Sequence, residues 1–323
     1  MATIAADIEK RIFDTANLKF NELAGDIFLF QHENCKVFSE WLNQTGGPKS
    51  PQNPLNFLPI SLFKTKQIFC GPHAAQIVFE SSSTTGQIPS KHHVIKTALY
   101  EQSFKRGFEL AYGNPMQYSW LCLLPGYLER QNSSLVYMAQ HLMQNALAGS
   151  GFFLNNTELL LTELTKQQPK ILLGVSHALL KLADIYCGPP LSQTIIMETG
   201  GMKGKGPELT RQELHTKLKK AFGVSEIHSE YGMTELLSQA YGRNGRFFSP
   251  PWMKILIRDT SDPGNWLPTG KTGQICIIDL ANVYSCSFIA TDDLGRLNDD
   301  GSFEVLGRFD HSEVRGCNLM INP

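Results

Sequence analysis

Charge is sparse and balanced in this chain. Of 323 residues, 29 are Lys or Arg and 30 are Asp or Glu, 18% in all, for a net charge of −1. A broad basic face of the kind nucleic-acid binding needs is excluded, and so is an acidic solvating tail. Long apolar runs are missing too. No stretch reaches the roughly 18 apolar residues of a transmembrane helix, so no membrane span is expected. The first residues place Asp7, Glu9, Lys10 and Arg11 early, with no apolar h-region, so no signal peptide is expected. Neither CxxC nor HExxH occurs. The seven cysteines (Cys35, Cys70, Cys122, Cys187, Cys276, Cys286 and Cys317) are odd in number and widely spaced. A disulfide framework and a structural zinc site are therefore not expected, and a reducing cytoplasm suits thiols that behave as small buried hydrophobes. Internal repeats and low-complexity tracts are also lacking.

What remains is an ordinary globular composition, 42% hydrophobic, enough for one large domain or two modest ones. Apolar positions at helical spacing predict helix over residues 7–43, closed by a loop at Gly46, Gly47, Pro48, Pro51 and Pro54. From about residue 76, strand and helix alternate. Ile77–Phe79 reads as a strand, His92–Tyr112 as a helix, Trp120–Leu124 as a strand and Ser133–Gln144 as a helix. Ile171–Val175 is a strand, followed by a helix from Ser176, for which that serine is a good N-cap. Thr194–Met197, Arg211–Phe222 and Glu226–Glu230 continue the pattern. Such alternation predicts an α/β core with a mainly parallel sheet over residues 1–247. After that, Trp252–Arg258, Gln274–Ile278 and Phe303–Leu306 are short strands between turns, which predicts a smaller β-rich subdomain over residues 248–323.

Three stretches could carry chemistry. In the first, Ser81-Ser82-Ser83-Thr84-Thr85-Gly86 follows a strand and is followed by Lys91. Its hydroxyls and backbone N–H groups could cradle phosphate oxygens, with the lysine as a nearby cation. It is not a Walker loop, because GxxxxGK[ST] is absent, and its plainer reading is a Ser/Thr-rich surface loop. The second, Tyr231-Gly232-Met233-Thr234-Glu235, sits at a strand end. There an aromatic ring could stack on a base and a carboxylate could hold a divalent cation, although Tyr-Gly is also ordinary turn chemistry. The third is Thr291-Asp292-Asp293, followed by Gly307-Arg308. A carboxylate accepts hydrogen bonds from a ribose diol, and an arginine can reach ribose or phosphate; two β-turns with solvated charges are the alternative.

Taken together and in this order, the three stretches resemble the adenylate-forming (ANL) superfamily, over about residues 76–317. Within it the chain resembles the LuxE-type acyl-protein synthetases. That likeness also rests on Leu123-Leu124-Pro125-Gly126-Tyr127, Ser133-Ser134-Leu135 and the ending Glu313-Val314-Arg315-Gly316-Cys317. The resemblance extends to the AMP-forming acyl-CoA synthetases, and the phenylacetate-CoA ligases are more distant. The resemblance implies an adenylating N-terminal core with a barrel-like β-rich subdomain. The chain ends at Pro323, without the lysine-bearing lid domain of full-length acyl-CoA synthetases, so that lid is expected to be absent or vestigial.

The resemblance also implies roles for individual residues. Ser82, Ser83, Thr84, Thr85 and Gly86 would wrap the phosphates of ATP, with Lys91 as a supporting cation. Tyr231, followed by Gly232, would stack on adenine, Thr234 would contact the α-phosphate and Glu235 would bind Mg²⁺. Asp293 would hold the ribose hydroxyls with Arg308 nearby, and Gly200 and Gly201 would line the carboxylate and adenine region. The implied reaction is activation of a carboxylic acid, in this branch a fatty acid, to an acyl-adenylate. Cys317, with Arg315 two residues before it to favour thiolate, would accept the acyl group. A partner protein, such as a reductase or carrier, and CoA are the other acceptors. Ser83 stands where many relatives have glycine, and Gln87-Ile88-Pro89 makes the loop about one residue longer.

Two other readings compete. Gly174-Val175-Ser176-His177-Ala178 is close to the Gly-x-Ser-x-Gly elbow of serine hydrolases, with His311 as a late histidine. A nucleotide- or acyl-binding relative without turnover is the third. His92 and His93, expected on a helix, would not share a face and so would not form a paired metal site.

Overall fold

Residues 2–46, 49–82, 88–125, 131–200 and 209–308 are described by the structure, a computed structural model. Near the N-terminus the expected single helical stretch is three helices: α1 (Ala2–Ile12), α2 (Phe20–Asn34) and α3 (Lys36–Thr45). One residue separates the last two. Cys35 is extended, its N–H bonds Gln31 O at 2.8 Å and its carbonyl receives the Ser39 N–H at 2.9 Å, so it closes one helix and opens the next. A short strand, β1 (Leu58–Pro59), follows.

The next region begins with the strands β2 (Ile77–Glu80) and β3 (Lys91–Val94), then α4 (Thr97–Tyr112), β4 (Ser119–Leu123), α5 (Ser134–Leu142), β5 (Gly151–Phe152) and α6 (Thr157–Thr165). It continues with β6 (Lys170–Val175), α7 (Ser176–Ile185), β7 (Thr194–Thr199), α8 (Arg211–Phe222), β8 (His228–Tyr231), β9 (Ala240–Arg243) and β10 (Arg246–Phe248). The chain closes with β11 (Met253–Arg258), β12 (Gly273–Asp279), β13 (Phe288–Leu297) and β14 (Phe303–Arg308).

These elements form two compact units, divided otherwise than the sequence suggests. One is continuous, residues 72–250; the other joins residues 1–71 to 251–323. The expected boundary near 247 is thus close to the end of the continuous unit, but the N-terminal helices group with the later strands.

In the continuous unit, β5-β4-β6-β7-β8 run parallel in that order, and β9 and β10 add antiparallel strands beyond β8. The Ile171-Leu172-Leu173 run is buried on both faces, as a parallel strand sandwiched between helices must be. Leu121, Leu172, Leu179, Leu218 and Phe222 belong to one hydrophobic cluster that joins sheet to helices. Helix α8 opens with a full capping box: Thr210 Oγ1 accepts the Glu213 N–H at 3.2 Å, and Glu213 Oε2 accepts the Thr210 N–H at 2.8 Å.

The expected helix from His92 is corrected. Lys91–Val94 is a strand, antiparallel to β2, and the helix starts only at Thr97. The Ser/Thr-rich loop therefore joins two strands of a hairpin and does not lead into a helix. Burial alternates along Lys91-His92-His93-Val94, the period of a strand, with His92 and Val94 buried.

In the discontinuous unit, β11-β12-β13-β14 form an antiparallel sheet, and β1 lies parallel to β13 with Leu58 opposite Ile289. Its core is aromatic. Phe28 meets Phe38 at 5.4 Å and Phe288 at 5.3 Å, edge to face, and Phe13 meets Trp252 at 5.0 Å. Gln31 is fully buried there, and its amide is satisfied. It donates to the carbonyls of Asn282 and Val283 at 3.0 Å each and accepts the Ser287 N–H at 3.0 Å. Among the described residues, no helix is long and apolar enough to cross a membrane.

Candidate active site

The hairpin and the end of β8 are tied together by one histidine. His92, fully buried on β3, places Nδ1 2.8 Å from the backbone carbonyl of Thr234. The neck of the hairpin loop is closed by Ser81 and Ser90. The Ser81 N–H bonds Ser90 O at 3.0 Å, and the Ser90 N–H bonds Ser81 Oγ at 2.9 Å. So the stretch that begins at Ser82 is anchored at its base to the Tyr231–Glu235 segment. Lys91 is half exposed and pairs across the hairpin with Glu80 at 3.2 Å. Ser83, Thr84, Thr85, Gly86, Gly201, His311 and Cys317 lie outside the described residues.

Tyr231 ends β8 at 8% exposure, and Glu235 is buried at 5%. Gly232 between them meets a spatial limit: a Cβ there would lie 2.5 Å from Glu230 Oε1. Gly200, exposed, follows the end of β7. Strands β7 and β8 run parallel with Thr199 opposite Glu230. The carboxyl ends of parallel strands are where open α/β sheets take their ligands.

Two buried carboxylates stand at those strand ends, and the sequence reading overlooked both. Glu230, on β8, accepts the hydroxyl hydrogen of Thr199. Burial, with Glu198 as a neighbouring negative charge, pushes its pKa up to about 7. Glu198, on β7, is gathered by four side chains from three other elements. Ser229 Oγ is 2.8 Å away, Ser176 Oγ 3.4 Å, Arg211 Nε 3.3 Å and His215 Nε2 3.6 Å. The visible signal was a lone acidic residue inside the apolar run Thr194-Ile195-Ile196-Met197-Glu198. A charge there must be partnered, because an isolated buried carboxylate is too costly to keep.

Ser176 needs correction. It is the first residue of α7 and does not cap it; Val175 precedes the helix with no side-chain cap. Its hydroxyl is buried at 2% and donates to Gly200 O at 2.9 Å. A hydroxyl buried and spent in this way does not present the exposed nucleophile that a hydrolase elbow requires.

In the other unit, Asp293 on β13 faces Arg308 on β14 in register, with Arg308 Nε 3.9 Å from Asp293 Oδ1. The Arg308 side chain is largely exposed, and that of Asp293 largely covered. Thr291 fixes the local backbone. Its hydroxyl donates to Ile275 O at 2.8 Å and accepts the Asp293 N–H at 3.1 Å.

No protein-family model matches the chain, and no curated protein matches it by sequence. Solved structures do match it by shape. ATP-bound MatB from Rhodopseudomonas palustris superposes with a TM-score of 0.53 at 19% identity, over 73% of this chain and 49% of that one. An open conformation of 2-hydroxyisobutyryl-CoA ligase, in complex with 2-HIB-AMP and CoA, gives 0.65 at 13% identity, over 88% and 73%. The amide bond synthetase McbA from Marinactinospora thermotolerans gives 0.50 at 18% identity, over 74% and 50%. The chain thus spans about half the length of MatB and of McbA. These likenesses show the fold alone: the α/β core expected from the resemblance is a fold this chain shares with MatB and with the 2-hydroxyisobutyryl-CoA ligase.

Proposed function

From that fold, we propose that the chain activates a carboxylic acid with ATP, giving an acyl-adenylate and pyrophosphate. One observation carries the reading beyond the fold: His92 ties the base of the Ser/Thr loop to Thr234, so the two stretches assigned to one triphosphate are joined in one unit. The neighbours support it by what their structures hold, ATP in MatB and 2-HIB-AMP with CoA in the ligase.

In this reading, a carboxylate oxygen of the acid attacks the α-phosphorus and pyrophosphate leaves. The acid is already a competent nucleophile, so the protein's work is positioning and charge neutralisation. Ser82–Gly86 and Lys91 hold the β- and γ-phosphates, and Thr234 holds the α-phosphate. Tyr231 and Gly232 lie against adenine, Asp293 binds the ribose hydroxyls with Arg308 beside it, and Gly200 and Gly201 border the reacting carboxylate. Glu235 is a hard oxygen donor suited to Mg²⁺. Among the described residues no group of three or more His, Cys, Asp or Glu could hold a metal by itself, which fits an ion shared between one carboxylate and substrate phosphates. Bound there, Mg²⁺ would neutralise phosphate charge.

The acid is proposed to be a fatty acid and the final acceptor a thiol: Cys317, a partner reductase or carrier, or CoA. McbA, which shares the fold, is an amide bond synthetase. A reducing cytoplasm suits the thiols, since the six described cysteines are all free.

Carboxylate-dependent ATP–pyrophosphate exchange, across short, long and aromatic acids, tests the reading. We expect exchange with at least one acid class, falling by about a hundredfold or more in Glu235→Ala and in Asp293→Ala, the scale of lost transition-state contacts. An absence of exchange with every acid would overturn it. Acylation that persists in Cys317→Ser would remove that cysteine from the scheme.

A further inference from the structure

Tyr231 does not stand alone behind its small exposed fraction. Its ring packs against Phe247 on β10, centroids 5.8 Å apart at 58°. Phe247 is itself buried at 1% and lies across Gly242 on the paired strand, where a Cβ would come within 2.8 Å of the phenylalanine ring. Over the Phe247 ring lies the guanidinium of Arg211, with Cζ 5.0 Å from the centroid. That arginine's Nε is held 3.3 Å from the buried carboxylate of Glu198. A single line of contacts therefore runs from Glu198 on β7, through Arg211 on α8 and Phe247 on β10, to Tyr231 on β8.

The arginine link needs the side chain it has. A guanidinium can donate from its edge to a carboxylate while its face covers an aromatic ring; a lysine ammonium cannot do both in one geometry. Glu198 is held in turn by Ser229 and Ser176, so the arginine has a fixed anchor. A ring only 8% exposed presents a narrow portion of itself, and a small tilt changes what that portion offers.

We propose that Arg211, anchored by Glu198, is a positioning residue that sets Tyr231 through Phe247 for recognition of the nucleotide base. This rests on the reading of Tyr231 as the base-contacting ring. It adds three residues, Glu198, Arg211 and Phe247, that the reading does not itself supply.

The test separates base recognition from phosphate binding. Dissociation constants are measured for Mg-ATP and for Mg-tripolyphosphate, which carries the phosphates without the base. The proteins are the wild type, Arg211→Ala, Arg211→Lys, Phe247→Leu and Glu198→Gln, each checked by thermal melting. Loss of part of a base–ring stack should weaken ATP by about tenfold in Arg211→Ala and Phe247→Leu, with tripolyphosphate changed less than about twofold. Arg211→Lys should resemble the alanine variant. Glu198→Gln should stay near wild type, because an amide oxygen still accepts from Nε. Phe247→Leu carries the test if the arginine variants do not fold. Equal weakening of both ligands, or unchanged ATP affinity in Arg211→Ala and Phe247→Leu, overturns the proposal alone. A wild type that binds ATP no more tightly than tripolyphosphate overturns the underlying nucleotide reading, and this proposal with it.

Discussion

Glu230 is a carboxylic acid raised by burial from an ordinary 4.5 to about 7. The protonated form is therefore the one that folding favours. The stability it brings is fully present below pH 4.5 and is lost as pH climbs through 7. The span corresponds to about 3 kcal/mol at most. Glu230→Gln mimics the protonated acid and can still accept from Thr199. Its thermal midpoint should match the wild type near pH 5 and exceed it by about 5 °C at pH 8; equal midpoints at both pH values would contradict the assignment. Gly232→Ala should act in the opposite sense. The added methyl meets Glu230 Oε1 at 2.5 Å, and overpacking of this kind costs about 2 kcal/mol, measurable by urea denaturation. At this scale the sequence revealed its exposed-looking motifs and hid the buried ones. Thr234, Glu235 and Lys91 stand in recognisable strings. Glu198, Arg211, His215 and Phe247 are separated by up to 49 positions and meet only because β7, α8, β8 and β10 are neighbours.

Among the elements, helix α8 depends on its first residue pair. Thr210→Ala removes the hydroxyl arm of the capping box, leaving Glu213 Oε2 on the backbone N–H, and should cost about 1 kcal/mol, seen as a lower melting midpoint. The β2–β3 hairpin depends on His92. His92→Ala removes the bond to the Thr234 carbonyl and should raise the KM for ATP more than it lowers kcat, read from exchange kinetics at saturating acid. An unchanged KM would show that the hairpin does not need this tether. Element types were mostly legible, because the 3.6 and 2.0 periods come from burial on one face or two. The missed strand at Lys91–Val94 has a clear cause. Four residues with two histidines carry too little apolar alternation to reveal a strand, and the polar string before them resembles a helix entrance. Helices α2 and α3 were merged for a similar reason, since a one-residue break at Cys35 leaves hardly a trace in periodicity.

The whole chain has a net charge of −1 and a pI near 6.8. With so little net repulsion near neutrality, solubility should pass through a minimum within about one unit of that pH. Polyethylene-glycol precipitation across pH 5–9 checks this, and monotonic solubility would contradict it. The α/β core and the antiparallel strands after residue 250 were both foreseen, but their grouping was not. Nothing local in α1–α3 announces that Phe28 will meet Phe288, 260 positions later.

That separation has a consequence during synthesis on the ribosome. Residues 72–250 are one uninterrupted segment, and their parallel strands and crossover helices can settle as soon as they emerge. Helices α2 and α3 leave the exit tunnel before that segment and must wait for the strands that follow it. Phe28 and Phe38 have no Phe288 to cover them, and the Gln31 amide has no Asn282 or Ser287 to bond, until that later segment has been made. Closing a loop of more than 200 residues is a slow step that nucleates late. These helices are thus made well before they can be buried, and in that interval they are a segment in need of a chaperone.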